Sequence, residues 1–239
     1  MARMTLEDLV TQLRAAYGSA LSAVVLYGSA ATAEHFKRSD YNVLVLVESL
    51  DSAALAAASA ASRAWSDAGN PAPLTLTLSE WRGSSDIFPM EYADILERHR
   101  VLFGNPPFDG IRVDLKDLRL QLEQEAMGKL IRLRQGLLAS GNDAQRQLEL
   151  LVASMSAIMV IFRAFLRLHG EVPSKDSAAV AQTVARKAGF DEAPFVAVVR
   201  HTRGEAKLDA AAAAGVLDGY LRGMEKLVAY LDQYHAFAS

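Results

Sequence analysis

The chain has 239 residues, no cysteine and a formal net charge of −3. The lack of cysteine excludes disulfides, cysteine metal sites and cysteine nucleophiles, and the acidic balance argues against a sequence-independent nucleic-acid binder. The first residues carry no apolar signal region, and the uncharged stretch 150–162 is shorter than the about 20 residues of a membrane span. We therefore expect a cytoplasmic protein without a membrane partner, in which 150–162 forms a buried core helix.

Short apolar segments alternate with helical ones through the first part of the chain. Residues 5–16 predict a helix capped by Thr5, and 51–68 predict an alanine-rich helix. Residues 21–26 and 41–47 predict buried strands, and 74–78 alternates leucine and threonine at strand spacing. This order predicts a small domain whose sheet is covered by helices on both faces.

The segment 103–110 contains two prolines and two glycines and interrupts every regular period. Beyond residue 115 the apolar residues recur only at helical spacing. We therefore predict an α+β protein with two domains. A mixed sheet with flanking helices occupies residues 1–108, and an antiparallel helical bundle occupies 112–239.

The polar residues between the first two predicted strands carry the chemistry. Gly28-Ser29 ends the first strand, and Ser39-Asp40 opens the second, in which Asn42 follows two residues later. A glycine lets the backbone approach a phosphate, and the amides and hydroxyl that follow it can hold phosphate oxygens. Residues 40 and 42 share one strand face, because side chains alternate along a strand. Ordinary turn chemistry is the alternative for each dipeptide alone.

In order and spacing, Gly28, Ser29, Ser39 and Asp40 resemble the motif of the nucleotidyltransferase-like superfamily, which has the DNA polymerase beta-like fold. The resemblance implies a nucleoside triphosphate partner and Mg²⁺ as cofactor, with a third carboxylate on a neighbouring strand. It assigns phosphate binding to Gly28 and Ser29. It assigns catalysis and metal binding to Asp40 and Asn42.

Two positions depart from the active form of that motif. Asn42 stands where a second aspartate is expected, and strand 74–78 offers Thr75 and Thr77 but no acid. Glu80 lies close in sequence and could substitute for the third acid. We therefore expect a protein that binds a nucleoside triphosphate or related phosphate ligand with weak or lost nucleotidyl transfer. The alternative is an active Mg²⁺-dependent transferase acting on a small-molecule or macromolecular hydroxyl.

The segment 86–104 resembles part of a bacterial nucleotidyltransferase-like group whose metal motif also reads Asp-x-Asn. Glu91 and Asp94 are three residues apart on a predicted helix face, so they could serve the site, or they could be ordinary solvated acids. His99 and Arg100 could contact phosphate or lie at a strand edge.

The helical half resembles the domains that follow this fold in aminoglycoside adenylyltransferases and in HEPN-type proteins. Arg163 and His169 fit the loose Arg–His spacing of HEPN ribonucleases, which implies RNA cleavage in paired chains. The alternative is that both residues are the polar part of a core helix, near a C-terminus that favours cations. A homodimer is a further hypothesis, and no pattern indicates the acceptor substrate.

Overall fold

The computed structural model describes residues 4–31 and 41–234, apart from the side chain of Ser29. The chain divides into two compact units, Met1–Asp114 and Leu115–Ser239. The first holds a mixed sheet with helices, and the second has helices and no strand among its described residues, which confirms the predicted α+β class. The boundary of independently folding domains at 108–112 stays a prediction.

The first unit places helices and strands in alternation. Its helices are α1 Leu6–Tyr17, α2 Ser52–Asp67, α3 Leu78–Gly83 and α4 Pro89–Glu97. Its strands are β1 Leu21–Tyr27, β2 Asn42–Val47, β3 Leu74–Thr77 and β4 His99–Gly104. A capping box starts α1, in which the Thr5 hydroxyl accepts from the Asp8 amide and the Asp8 carboxylate accepts from the Thr5 amide.

The sheet has the strand order β3-β2-β1-β4. Strand β1 is antiparallel to both β2 and β4, and β2 is parallel to β3. Tyr27 at the end of β1 is the register partner of Asn42 on one side and of His99 on the other. We refer to this edge, where Tyr27, Asn42 and His99 align, as the Tyr27 end of the sheet.

Helices cover both faces of the sheet, as the apolar strands indicate. The α1/α2 face buries side chains of every second strand residue, including Val24, Leu26, Val43 and Val45. The α3/α4 face buries the alternate set, which is Ala23, Val25, Leu44 and Leu46 together with Trp81, Tyr92 and Ile95. Because side chains alternate along β2, Asn42 belongs to the same face as Leu44 and Leu46 and lies on the α3/α4 side.

Aromatic contacts fix the position of α4 on the sheet. The rings of Trp81 and Tyr92 stack with centroids 4.2 Å apart, and the Tyr92 hydroxyl donates to the Trp81 carbonyl oxygen at 2.8 Å. The Trp81 indole in turn donates to the Pro107 carbonyl oxygen at 3.1 Å. A buried stacked pair with both polar groups bonded holds one orientation, so the outward side chains of α4 have defined positions.

The second unit contains five α-helices and the short 3-10 helix Ala210–Ala212 in its described residues. The α-helices are α5 Leu115–Ser140, α6 Ala144–Leu168, α7 Ser177–Ala188, α8 Ala193–Thr202 and α9 Ala213–Gln233. By length and composition alone, α6 is the one helix within the described ranges that could cross a membrane. One face of α6, with Ile158, Phe162 and Phe165, is buried, and the Phe162 ring packs against Phe195 of α8, whereas Val160 is exposed. The buried face of α6 therefore forms part of the core of the second unit.

Candidate phosphate and metal site

The turn after β1 starts with a glycine in the left-handed region. Gly28 has φ +76° and is buried, and it opens the 3-10 helical turn Gly28–Ala31. Its amide donates to the carbonyl oxygen of Arg98 at 3.0 Å, which ties the end of β1 to the start of β4. The Gly28 amide is therefore already bonded. Gly28 would help a phosphate to approach because it has no side chain. The hydrogen-bond donors would be later amides of the turn.

Two polar side chains border the space in front of Gly28. A Cβ built at this position would stand 3.4 Å from Asn42 Nδ2 and 3.4 Å from Asp94 Oδ2. The structure thus brings together Gly28, Asn42 and the helix acid Asp94. Ser39 and Asp40 lie outside the described residues, so the predicted Asp40–Asn42 pair stays a prediction.

Asp94 is held in place by an ion pair with Arg98, four residues later in the chain. Its Oδ1 accepts from Arg98 Nη2 at 2.6 Å, and the two side chains are only 24% and 13% exposed. The Arg98 Nε atom is buried without an acceptor among the described residues. One carboxylate oxygen of Asp94 is therefore committed to Arg98, while the other borders the Gly28 turn.

The pKa of Tyr27 is sensitive to Asp94 and to its neighbour on α4, Glu91. Burial, and then the negative charges of Glu91 and Asp94, raise the pKa of the Tyr27 hydroxyl to about 12. A phenolate is disfavoured both by a low dielectric and by nearby anions. Asp94 and the exposed Glu91 therefore lie close enough to Tyr27 to influence its ionisation.

Strand β3 presents no acid to this site. Leu74 and Leu76 pack in the cluster on the α3/α4 face, on the same side as Asn42. Thr75 instead lies on the α1/α2 side, near Tyr17. Burial raises the pKa of Tyr17, and a hydrogen bond with Thr75 partly opposes this shift. On the side of the sheet where Asn42 lies, β3 therefore presents Leu74 and Leu76. Thr75 and Thr77, which the sequence offered for this position, alternate with them.

Glu80 does not replace the missing acid. It is the third residue of α3, where its carboxylate accepts from the Thr77 amide at 2.7 Å and so completes a capping box. This hydrogen bond from the Thr77 backbone lowers the pKa of Glu80. Thr77 pairs with Val47, at the opposite end of β2 from Asn42. The hypothesis that Glu80 reaches the site is therefore wrong.

His99 and Arg100 occupy an edge strand. The His99 Nδ1 atom lies 2.8 Å from the Ile95 carbonyl oxygen, and its ring meets the Phe108 ring edge-on at 4.5 Å. Arg100 is exposed on β4, which is the edge strand next to β1. His99 thus has a packing role in the structure, and Arg100 lies at the strand edge.

The described side chains at the Tyr27 end, Asp94 and Asn42, offer at most two oxygen donors to a hard cation. No group of three histidine, aspartate or glutamate side chains is close enough to hold a metal within the described part of the chain. Asp94 offers a carboxylate oxygen, and rotation of the Asn42 amide by half a turn offers a carbonyl oxygen. Oxygen ligands of this kind suit Mg²⁺ when phosphate oxygens and water complete the shell. The residues could hold one such ion with its polyphosphate.

A groove of about 430 Å³ lies on the other face of the sheet. Its lining includes Tyr17 of α1, Arg63 of α2 and Thr75 of β3. Since Asn42 and Asp94 belong to the α3/α4 side, this groove is separate from the Gly28 turn.

The two residues of the HEPN alternative have different partners. Arg163 Nη2 donates to the Ser177 hydroxyl at the start of α7 at 3.1 Å. His169 lies 2.8 Å from the Phe165 carbonyl oxygen through Nδ1 and 2.8 Å from the Tyr230 hydroxyl through Nε2. These contacts belong to helix packing, and none of them joins Arg163 to His169.

No family model and no curated protein matches the sequence. Among solved structures, the chain is similar to spectinomycin adenyltransferase AAD(9) from Enterococcus faecialis, solved with ATP and spectinomycin. The TM-score is 0.63 at 11% sequence identity, and the match covers 93% of this chain and 97% of that one. This chain therefore shares its fold, through both units, with a nucleotidyltransferase.

Proposed function

We propose that the protein binds a nucleoside triphosphate or a related phosphate ligand at the Gly28 turn, and that its nucleotidyl transfer is weak or lost. The observation that carries the proposal is the Gly28 turn, bordered by Asn42 and Asp94, in a chain that has the fold of an ATP-bound adenyltransferase. A strand that ends in a positive-φ glycine lets phosphate approach the backbone closely.

The roles follow the chemistry of each residue. Gly28 and Ser29 would receive phosphate oxygens, and Asp40 and Asn42 would hold one Mg²⁺ from the strand side. When bound, the ion would supply Lewis-acid stabilisation of the charge on the phosphate oxygens. Asp40 keeps this role from the sequence motif alone.

The same residues explain why transfer is expected to be weak. Asn42 supplies a neutral oxygen where a carboxylate is expected, and the shared face of β3 carries Leu74 and Leu76. Metal charge buried without matching anions is costly. The strand that would carry the third acid also has no group to take the proton of an attacking hydroxyl.

Calorimetric titration with each of the four nucleoside triphosphates tests the proposal, with and without Mg²⁺ or Mn²⁺. We expect binding of at least one triphosphate in the presence of metal. Pyrophosphate release, measured in the same mixtures, should stay near background. Rapid release with a hydroxyl acceptor would instead support the active transferase. Gel filtration of the same samples tests the homodimer.

A pair of glycine variants shows whether binding depends on the proposed turn. Gly28→Ala places a methyl group against Asn42 and Asp94, so binding should be lost. Gly110→Ala is the matched control, because Gly110 also has a positive φ (+83°) but has open space around it. If both variants bind as well as the wild type does, or if no triphosphate binds under any condition, the proposal fails.

A further inference from the structure

We propose that one face of α5 is an interface between two copies of this chain, which pair antiparallel along a single apolar stripe. The proposal assigns a surface to the homodimer and is independent of the phosphate site. Between residues 120 and 138, α5 leaves four large hydrophobic side chains exposed. They are Leu120 (62% exposed), Met127 (42%), Ile131 (45%) and Leu138 (84%).

The spacing of these side chains puts them on one face of the helix. Successive intervals of seven, four and seven residues are those of a heptad repeat, in which two positions form one seam. Gln124 and Arg134 occupy the remaining positions of that seam and are also exposed. We call these six residues the α5 stripe: Leu120, Gln124, Met127, Ile131, Arg134 and Leu138.

The α5 stripe points away from the core of the second unit. The opposite face of α5 buries residues such as Leu122, Ala126 and Leu133, and the helix packs against α6 and α9. Single exposed apolar residues are normal on a protein surface, whereas a contiguous apolar patch marks an interaction site. At 1.5 Å per residue the stripe is about 27 Å long, which is five turns of helix.

The α5 stripe is self-complementary when two copies run in opposite directions. In the register centred on residue 129, Leu120 faces Leu138 of the second copy and Met127 faces Ile131. The same register sets Gln124 opposite Arg134. A twofold dimer uses one patch on both subunits, so each contact must occur twice with the partners exchanged. The spacing of the stripe is the same when it is read from either end, and it meets this condition.

Arg134 favours the antiparallel orientation over the parallel one. In a parallel pair Arg134 would face Arg134 of the second copy, and two like charges would meet in the seam. In the antiparallel pair each guanidinium instead meets the side-chain amide of Gln124, whose oxygen can accept a hydrogen bond. The charge of Arg134 stays matched, because its Nη2 donates to the Glu225 carboxylate of α9 at 2.7 Å.

The length of the α5 stripe limits the strength of the dimer. A contact confined to one helix pair of about 27 Å belongs to the small interfaces, at about 1,000–1,200 Å² of total buried surface. Interfaces of this size hold weak or transient complexes. We therefore expect monomer and dimer in exchange, with a dissociation constant of about 1–100 μM.

Sedimentation equilibrium of the full chain over about 1–500 μM measures this association. Wild type should shift from monomer to dimer within that range. Ile131→Glu puts two carboxylates into the apolar seam and should raise the dissociation constant at least about a hundredfold. Val172→Glu is the matched control, because it adds the same charge at an apolar side chain that is 84% exposed and lies outside α5, and it should dimerise like the wild type.

Single cysteines report the orientation, because the chain has no cysteine of its own. A mixture of Leu120→Cys and Leu138→Cys should form a disulfide-linked dimer under mild oxidation. Either variant alone should not, since the two copies of each position lie about 27 Å apart in the antiparallel pair. Both positions are exposed, so neither variant depends on refilling a core.

Three results would overturn the proposal. The first is a wild type that stays monomeric over the whole concentration range. The second is an equal dissociation constant in wild type and Ile131→Glu, which would move any dimer to another surface. The third is cross-linking of each cysteine variant alone as efficiently as in the mixture, which would show a parallel pair. None of these results bears on binding at the Gly28 turn, which is measured separately.

Discussion

The substitution Asn42→Asp restores the carboxylate of the metal motif, and the structure predicts its cost. Asn42 Nδ2 and Asp94 Oδ2 border the same point in front of Gly28. The new carboxylate would therefore face Asp94, whose nearest described cation, Arg98, is already engaged at 2.6 Å. We expect the metal-free variant to be less stable than the wild type and the metal-bound variant to be more stable.

The size of the effect follows from Coulomb's law. Two carboxylates about 5 Å apart at an effective dielectric constant of about 20–40 repel by about 2–3 kcal/mol. At about 4 °C per kcal/mol for a unit of this size, the melting temperature of the metal-free form falls by about 10 °C. The repulsion raises a carboxyl pKa in the folded state. The penalty is therefore full at neutral pH and disappears as the pH falls below about 4.

Thermal melts of both forms, with and without millimolar Mn²⁺, measure these effects directly. Asn105→Asp is the matched control, because Asn105 is exposed and follows the far end of β4, away from Tyr27. It should melt like the wild type with and without metal. If Mn²⁺ stabilises wild type and Asn42→Asp equally, Asn42 is not at a metal site and this interpretation of the motif is refuted.

Three further predictions concern packing and titration. Because the Tyr27 pKa is raised to about 12, stability should fall between pH 10 and pH 12, and Tyr27→Phe should remove the late-ionising phenol from an ultraviolet titration. Gly104→Ala should lower the free energy of unfolding in urea by about 2–4 kcal/mol, because its Cβ would overlap the Ser22 carbonyl oxygen at φ +74°. His169→Ala should lower it by about 1–2 kcal/mol, since the Tyr230 hydroxyl loses its acceptor, and RNA incubated with either form should stay intact.

Local patterns were sufficient to predict most of the elements that frame the site. Strands β1 and β2 are apolar enough to be recognised, and Thr5 and Asp51 both cap the helices that the sequence predicts. The six-residue α3 has no sequence signature in its periodicity, because a segment that short completes fewer than two helical turns. Its capping box, in which Thr77 and Glu80 are three residues apart, is the one local signal for this helix, and it places the Glu80 carboxylate at the helix start.

The position of Asp94 could not be derived from sequence, because it depends on contacts far apart in the chain. The orientation of α4 about its axis is set by the stacking of Tyr92 on Trp81 and by the burial of Ile95. Gly28 lies 66 residues before Asp94 in the chain. Spacing alone offered Glu91 and Asp94 as a pair. The packing of α4 decides that an oxygen of Asp94 borders the turn.

The double variant Asn42→Asp/Asp94→Asn tests whether charge count controls the Tyr27 end of the sheet. In the wild type Asp94 is paired with Arg98 and Asn42 is neutral, so these three side chains together carry no net charge. Each single variant breaks this balance: one adds a carboxylate, and the other leaves the Arg98 guanidinium without its partner. The double variant moves the carboxylate from helix to strand and keeps the sum. We therefore expect its metal-free stability to exceed the additive value by at least about 1 kcal/mol in a double-mutant cycle measured by urea unfolding. Additive losses would show that Asn42 and Asp94 do not interact, and would separate the helix acid from the strand motif.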